Sequence, residues 1–316
     1  MLTKCFFTIS LLITSTLFAG RVDIVSSFTL DELVPRNKIA KETGLKVRVF
    51  RYDLDPYYRN FYKDYIDKIL IMANIGDGEA LAQIPFHKRI LFLWEPHEDR
   101  TPDLEDKFYR IYTFNDDIVD NQKYFKFAYP VLVQMKENIP SFDAKKFCVM
   151  MTHRFTKERA QLIRFFETKA YEEFEYYGFN SIIETSRYRG QIPGHPVCDE
   201  KLEILKNFRF CICFENTMIN GYITEKIFTC FTAGCVPVYQ GAPNVESYIP
   251  KECFIDYRDF KSDEEMYNFL KSMSKERYEQ YLSAIERYLS SEQAKIFSKE
   301  HFSEIVAECV NVNEGK

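Results

Sequence analysis

Short apolar runs rich in β-branched and aromatic residues alternate with helical patterns along the chain after residue 20. The predicted strands are RVDIVSSF, KVRVFRYD, KRILFLWEP, FYRIYTFN, KKFCVMMTH, FRFCICFE and CVPVYQG. The predicted helices are YRNFYKDYIDKILIMANI, TKERAQLIRFFETKAYEEF, TEKIFTCFTAG and KSDEEMYNFLKSMSKERYEQYLSAIERYL. Because strands that alternate with helices build parallel sheets, the sequence predicts an α/β protein. Its 316 residues are enough for two Rossmann-like domains, with a boundary expected near residues 138–146.

Composition places the chain among folded proteins that are not basic. Hydrophobic residues make up 46% of the chain, which is ample for a core, and the formal net charge is -5. Proteins that follow nucleic-acid phosphates are usually basic, so no nucleic-acid partner is predicted. The nine cysteines show neither a Cys-x-x-Cys pair nor zinc-ligand spacing. This favours buried thiols and leaves room for one or two disulfides in an oxidising compartment.

The first twenty residues form a hydrophobic leader, MLTKCFFTISLLITSTLFAG. Lys4 precedes an apolar run from Cys5 to Ala19, which is shorter than the ~20 residues that a membrane-spanning helix needs. A signal peptide, a weak membrane anchor and a peripheral membrane segment are all compatible with this pattern. Membrane association through residues 1–20 is therefore the expectation.

The stretch CFENTMINGYITEKIF places polar residues between two apolar segments. It leads from a predicted strand into a helix capped by Thr224, which is where open α/β sheets bind ligands. Asn216 offers a hydrogen-bond donor and acceptor, Tyr222 offers a ring face and a hydroxyl, and Lys226 adds a cation beside the N–H groups of the helix start. A turn of this composition suits an anion, and in particular a pyrophosphate.

Glu225 narrows the ligand class further. A carboxylate beside a pyrophosphate would repel it, whereas a carboxylate accepts hydrogen bonds readily from sugar hydroxyls. A phosphate site next to a hydroxyl-binding carboxylate indicates a sugar nucleotide. The alternative for Glu225 is an acidic first-turn residue that only interacts with the helix dipole.

Arg159 lies early in the predicted helix that follows KKFCVMMTH. An arginine at that position can form bidentate bonds to a diphosphate. Since Lys157 and Glu158 are its neighbours, however, the residues alone favour a solvated arginine on the surface.

The segment CFENTMINGYITEKIF, together with FTAGCVPVYQGAPNVESYIP, resembles the donor-binding motif of the α-1,3/4-fucosyltransferases of glycosyltransferase family 10. The resemblance is dense over residues 208–257 and looser over residues 88–207. It implies a GT-B fold, in which two Rossmann-like domains face each other across a cleft. Residues 21–142 would form the N-terminal acceptor-binding domain. Residues 143–316 would form the C-terminal GDP-fucose-binding domain with its C-terminal helices.

The same resemblance implies an inverting transfer of L-fucose from GDP-β-L-fucose to a glycan acceptor, with O3 of N-acetylglucosamine as the expected hydroxyl. The donor-binding residues would be Arg159, Asn216, Tyr222, Thr224, Glu225 and Lys226. No metal or other cofactor is required, although a divalent cation could stimulate the reaction. The sequence departs from the family pattern at MMTHR, where many members carry a Ser-Asn pair, so His153 or Arg154 would have another role.

Inverting transfer needs a general base across the sugar from the leaving group, so the base should come from the other domain. Glu95 follows the predicted strand in KRILFLWEP and resembles the family's glutamate-containing motif, which makes it the candidate base. The alternative is a loop carboxylate in an acidic stretch with Glu98 and Asp99. Trp94 would either line the acceptor pocket or belong to the core.

Three alternatives remain open from the sequence. Asp53 and Asp55 have the spacing of a metal-binding motif in metal-dependent GT-A transferases, but they lie far from the donor motif. A GT-B transferase for another nucleotide sugar and a non-catalytic carbohydrate-binding protein are the other two. Since GDP-fucose is made in the cytosol, a bacterial enzyme would work at the cytoplasmic face, whereas a eukaryotic one would face the Golgi lumen.

Overall fold

The structure, a computed structural model, describes residues 20–26, 36–51, 68–72, 85–96, 103–152, 156–178, 187–191 and 199–311. Residues 1–19 of the leader lie outside these ranges, and so do Asp53, Asp55, His153 and Arg154. The predictions made for them are therefore untested. None of the helices in the described ranges combines the length and apolar character that crossing a bilayer requires.

The N-terminal half forms a sheet of six described strands, all parallel. They are β1 (Gly20–Ser26), β2 (Leu45–Arg51), β3 (Lys68–Met72), β4 (Arg89–Leu93), β5 (Arg110–Thr113) and β6 (Tyr124–Lys126). Their order in the sheet is β2-β1-β3-β4-β5-β6. Since the carboxyl ends of parallel strands meet at one edge, the residues that follow β4 and β5 are brought together there.

The strand β3 corrects one sequence prediction. The segment YRNFYKDYIDKILIMANI was predicted to be helical, but Lys68–Met72 pairs with β1 on one side and β4 on the other. In the run KILIM, Lys68 is followed by four consecutive apolar residues. A short run of this kind is compatible with either element, and only the pairing with neighbouring strands decides between them.

The C-terminal half forms a second parallel sheet with the strand order β11-β10-β9-β7-β8. Its strands are β7 (Lys146–Thr152), β8 (Phe174–Gly178), β9 (Phe208–Phe214), β10 (Val236–Gln240) and β11 (Ile255–Asp256). The central strand β9 is buried along almost its whole length, as expected for a strand with helices on both faces. The α/β class with two parallel sheets is therefore confirmed.

The described helices connect these strands and cover the sheets. They are α1 (Arg36–Thr43), α2 (Leu104–Lys107), α3 (Lys157–Lys169), α4 (Asp199–Leu205), α5 (Glu225–Thr232), α6 (Asp263–Ser272), α7 (Lys275–Leu289) and α8 (Lys299–Asn311). The long helical pattern after Lys261 is divided in two, because Ser274 caps a second helix by accepting a hydrogen bond from the Arg277 N–H at 3.2 Å.

The last helix, α8, packs on the first sheet although it follows the second one in the chain. Phe302, Val306 and Cys309 are buried against the apolar side chains of the N-terminal half. Phe302 lies 5.7 Å from Phe92, measured between ring centroids. The chain thus crosses back over the junction of the two sheets, and the predicted division at residues 142 and 143 stays a prediction.

The cysteines of the described ranges are buried free thiols. They are Cys148, Cys211, Cys213, Cys230, Cys235, Cys253 and Cys309. For these residues the interpretation as small apolar core residues is confirmed.

Candidate active site

Glu215 organises the turn between β9 and α5, which we call the 215–224 loop. Its carboxylate is fully buried and accepts hydrogen bonds from the backbone N–H of Thr224 at 2.9 Å and from the Thr224 hydroxyl at 2.9 Å. The Lys226 ammonium donates to the same carboxylate at 2.9 Å. One buried acidic group therefore joins the first residue of the loop to the start of α5 and fixes the loop at both ends.

Thr224 is the N-cap of α5, as predicted, because its hydroxyl accepts from the Lys226 N–H at 3.4 Å. The same hydroxyl contacts the Lys226 ammonium at 3.0 Å. Since Thr224 is almost completely buried, its side chain is enclosed by protein groups. Its predicted contact with a donor stays a prediction.

Lys226 and Glu225 form the charged rim of this helix start. Burial alone would lower the pKa of Lys226, but the carboxylates of Glu215 and Glu225 raise it above its ordinary value, so the ammonium is charged at any physiological pH. Burial would raise the pKa of Glu225, and the cations of Lys226 and Lys201 outweigh that effect and lower it. Glu225 keeps part of its side chain exposed, and its carboxylate lies 3.8 Å from the Lys226 ammonium.

Arg159 is buried at the carboxyl end of β9, with only 2% of its surface exposed. Its backbone N–H is capped by the Thr156 hydroxyl at 3.3 Å, which places it in the first turn of α3. Its guanidinium donates to the backbone carbonyl of Phe214 and, at 3.3 Å, to the Asn216 side-chain carbonyl. The interpretation of Arg159 as a solvated surface residue is therefore wrong.

A cleft opens at the carboxyl ends of β7 and β9. Its lining includes Met151, Thr152, Arg159, Lys201, Phe214 and Lys226. Three of these residues are cations, contributed by the starts of α3, α4 and α5. Cations beside helix N-termini, of which those of α3 and α5 are capped, make a site that attracts an anion such as a diphosphate.

Tyr222 packs against aromatic side chains of the first sheet, and its predicted contact with a donor stays a prediction. Its ring lies 4.8 Å from that of Phe114 and 6.0 Å from that of Tyr129, between centroids. Tyr129 in turn donates a hydrogen bond from its hydroxyl to the backbone carbonyl of Trp94. A continuous aromatic contact therefore connects the 215–224 loop to the residue immediately before Glu95.

Glu95 follows β4 and lies within electrostatic reach of the loop. Burial raises the pKa of Tyr129 well above its ordinary value, and negative potential from Tyr222, Glu95, Glu225 and Glu215 raises it further. The candidate base and the two carboxylates of the donor motif therefore all act electrostatically on the same phenol. Trp94 is 7% exposed and stacks on Phe127 at 5.1 Å, so it is a core residue.

Gly221 is the point of closest approach between the loop and the first sheet. Its φ angle is +79°, in the left-handed region. A Cβ atom placed there would lie 2.2 Å from the Phe114 carbonyl oxygen, 2.5 Å from the Lys126 ammonium and 2.8 Å from a carboxylate oxygen of Asp116. The left-handed φ and these three contacts explain why a glycine occupies this position, and the close approach is to protein groups.

We expect Gly221→Ala to lower the free energy of unfolding by about 3 kcal/mol, since it adds both a strained φ and a backbone clash. Gly44→Ala is the matched control, because Gly44 has a φ of +69° and no atom within 4 Å of the added Cβ. That control should cost about 1 kcal/mol. Urea unfolding of both variants measures the difference, and equal losses would contradict the close approach.

Two residues of the site were missed by the sequence reasoning. Glu215 had a usable signal, because an acidic residue directly after a buried strand is the pattern that identified Glu95. Lys201 had none, since α4 follows a segment without a recognisable motif. In the described ranges no cluster of three or more His, Cys, Asp or Glu side chains is arranged to hold a metal ion.

Solved structures with the same architecture cover nearly the whole chain. A crystal structure of an alpha1,3-fucosyltransferase with GDP-fucose matches with a TM-score of 0.60 at 16% identity, covering 94% of this chain and 92% of the other. HepE from Anabaena, in complex with UDP and glucose, matches with a TM-score of 0.57 at 11% identity, covering 93% and 100%. These proteins are GT-B glycosyltransferases, and the two facing parallel sheets with a cationic cleft place this chain in the same fold class.

Sequence comparison identifies the family. The model for the C-terminal region of glycosyltransferase family 10 (fucosyltransferase) matches residues 138–316, more than half of the chain, and the protein belongs to that family. Mouse (Mus musculus) 4-galactosyl-N-acetylglucosaminide 3-alpha-L-fucosyltransferase 9 is 41% identical over 96 residues. Those residues are 29% of this chain and 26% of the mouse protein, so the match spans about a quarter of the relative's length.

Proposed function

We propose that the protein is an inverting fucosyltransferase that moves L-fucose from GDP-β-L-fucose to a hydroxyl of a glycan acceptor. The observation that carries the proposal is the placement of the family motif on a helix start beside a buried arginine. Glu225 and Lys226 begin α5, and Arg159 lies in the first turn of α3. These two helix starts are far apart in the sequence, yet Arg159 and Lys226 line the same cleft at the carboxyl edge of the second sheet.

In this proposal the diphosphate of GDP lies in the cationic cleft. Arg159 and Lys226 neutralise its charge, and Lys201 adds a third cation. Glu225 accepts hydrogen bonds from hydroxyls of the donor, because its side chain is partly exposed and its carboxylate is ionised. The side-chain carbonyl of Asn216 accepts a hydrogen bond from Arg159, and the side-chain NH2 group of Asn216 donates to the donor substrate.

In the proposed transfer Glu95, which follows β4 of the first sheet, is the general base. The acceptor hydroxyl oxygen attacks C1 of fucose, the bond from C1 to the β-phosphate oxygen breaks, and GDP leaves with the bonding electron pair. Glu95 takes the proton of the attacking hydroxyl. Because attack and departure occur on opposite faces of C1, the β-linked donor becomes an α-linked product.

The acceptor proposed is an oligosaccharide that contains galactosyl-N-acetylglucosamine, with O3 of the N-acetylglucosamine as the attacking hydroxyl. Support comes from the name of the mouse relative, which describes a 3-alpha-L-fucosyltransferase that acts on a 4-galactosyl-N-acetylglucosaminide. Loops of the N-terminal half would contact this acceptor, and much of that region lies outside the described ranges.

Release of GDP from GDP-fucose in the presence of N-acetyllactosamine tests the proposal. We expect release that depends on the acceptor and yields an α-1,3-linked product by NMR. UDP-glucose and GDP-mannose are tested as control donor substrates in place of GDP-fucose. Turnover with one of them but not with GDP-fucose would favour a transferase for another nucleotide sugar. Saccharide binding without turnover of any donor would favour a carbohydrate-binding protein.

A further inference from the structure

Asp116 lies where the first sheet meets the 215–224 loop, three residues beyond the end of β5. Its Oδ1 accepts from the Lys126 ammonium at 2.5 Å and from the Tyr248 hydroxyl at 2.7 Å. Its Oδ2 accepts from the Asn244 amide at 2.7 Å. We call Asp116, Lys126, Asn244 and Tyr248 the docking cluster. One carboxylate thus joins the N-terminal sheet to the segment that follows β10.

The docking cluster continues directly into the 215–224 loop. The side-chain carbonyl of Asn244 accepts from the Gly221 N–H at 2.8 Å. On the other side, the Asp116 N–H donates to the Asn220 carbonyl at 3.1 Å. The single peptide unit between Asn220 and Gly221 is therefore held at its carbonyl and at its N–H, the first directly by Asp116 and the second through Asn244.

Charge makes this contact strong. Burial would raise the pKa of Asp116, but hydrogen bonds from Lys126, Asn244 and Tyr248 outweigh it and lower the pKa, so the carboxylate is ionised. The side chains of Asp116 and Lys126 are each about three-quarters buried. Hydrogen bonds to an ionised acceptor in such surroundings are stronger than those between neutral groups.

The docked end of the loop is continuous with the groups proposed to hold the donor. Gly221 is followed by Tyr222 and, after one more residue, by Thr224, whose hydroxyl and N–H are bound by Glu215. A shift of the loop at Gly221 would therefore be transmitted to the start of α5. The same shift would move the loop relative to β4 and Glu95, because Asp116 belongs to the sheet that carries Glu95.

We infer that Asp116 is a positioning residue, which docks the 215–224 loop on the first sheet and so keeps the donor groups aligned with Glu95. The inference rests on the proposed function. A purely structural contact between the two halves would predict a loss of stability alone. A positioning role predicts in addition that the loop opens locally and that the donor site is occupied less often at equal donor concentration.

The test compares Asp116→Ala with Glu175→Gln in the full chain. Glu175 is the matched control, since it also accepts from a lysine, Lys146 at 2.8 Å, and from a tyrosine hydroxyl, Tyr177 at 2.9 Å, but within the second sheet. Hydrogen exchange of the loop amides, measured without nucleotide, reports docking. GDP affinity by calorimetry and the KM for GDP-fucose report the donor site.

We expect faster exchange across the loop and about tenfold weaker GDP binding in Asp116→Ala, with neither change in Glu175→Gln. Asn244→Ala keeps the ion pair with Lys126 but removes both hydrogen bonds of the amide, so it should reproduce the loop effect if Asp116→Ala does not fold. Loop exchange equal to that of the unaltered chain would overturn the inference, and so would faster exchange with unchanged GDP affinity. If the unaltered chain fails to turn over GDP-fucose while the exchange difference persists, the proposed function is wrong and the docking contact stands.

Discussion

Replacing Glu95 by glutamine is expected to lower kcat by about 100- to 10,000-fold while GDP affinity stays nearly intact. Glutamine preserves the size and the hydrogen-bonding reach of the side chain but cannot take a proton from the acceptor hydroxyl. Since Glu95 lies at the end of β4 in the first sheet, its replacement leaves the cations of the cleft unchanged. Single-turnover kinetics and calorimetric titration with GDP measure the two quantities.

A matched control is Glu105→Gln, because Glu105 is an exposed carboxylate on α2 of the same half of the chain. It should leave both kcat and GDP affinity unchanged. The unaltered enzyme should lose activity as the pH falls through the pKa of its base, and Glu95→Gln should lack that acidic limb. If Glu95→Gln weakens GDP binding as much as it slows transfer, or if Glu225→Gln shows the pattern expected for the base, Glu95 is not the base.

The second large effect concerns Lys226. We expect Lys226→Met to weaken GDP binding by roughly 10- to 150-fold, since a charge-assisted hydrogen bond contributes about 1.5–3 kcal/mol. It should also lower the free energy of unfolding by about 3 kcal/mol, because the fully buried carboxylate of Glu215 loses its cation. Calorimetry with GDP and urea unfolding separate the effect on the ligand from the effect on the fold.

The double variant Lys226→Met with Glu215→Gln distinguishes these two causes. A neutral amide no longer needs a cation, so the double variant should recover most of the lost stability but none of the GDP affinity. Lys146→Met is the control, since its ion pair with Glu175 is exposed on the lysine side and such pairs contribute less than about 1 kcal/mol. Full recovery of GDP affinity in the double variant would show that Lys226 acts only through Glu215.

The sequence predicted the fold class because strands and helices carry different hydrophobic periods, and that difference is local. The prediction was wrong at β3, because the run KILIM is too short to show whether its hydrophobic period is that of a strand or of a helix. Glu95 and Lys226 could be found from the sequence because each lies beside a recognisable boundary. Glu95 follows the end of a strand, and Lys226 lies at the start of a helix. The polar neighbours of Arg159 in the sequence suggested that it is exposed. It is buried because its guanidinium bonds to the Phe214 carbonyl on β9, which is distant in the sequence.

The docking cluster could not have been predicted in the same way. Asp116 and Tyr248 are separated by 132 positions, and they meet only because both sheets are formed and placed against each other. Nothing in the acidic segment after β5 distinguishes Asp116 from Asp117, which is exposed and contacts the Asn220 side chain. Pairing across a junction between domains depends on tertiary structure that no local pattern encodes.

The return of α8 to the first sheet bears on how this protein can be recombined with its relatives. Because Phe302 and Val306 complete the core around Phe92 and Trp94, the strand that presents Glu95 is supported by the last helix of the chain. A chimaera that exchanges only the N-terminal half would pair that strand with a foreign helix. An exchange of the N-terminal half that keeps this contact therefore requires two crossover points, one between the sheets and one before Lys299, so that α8 is exchanged together with the first sheet.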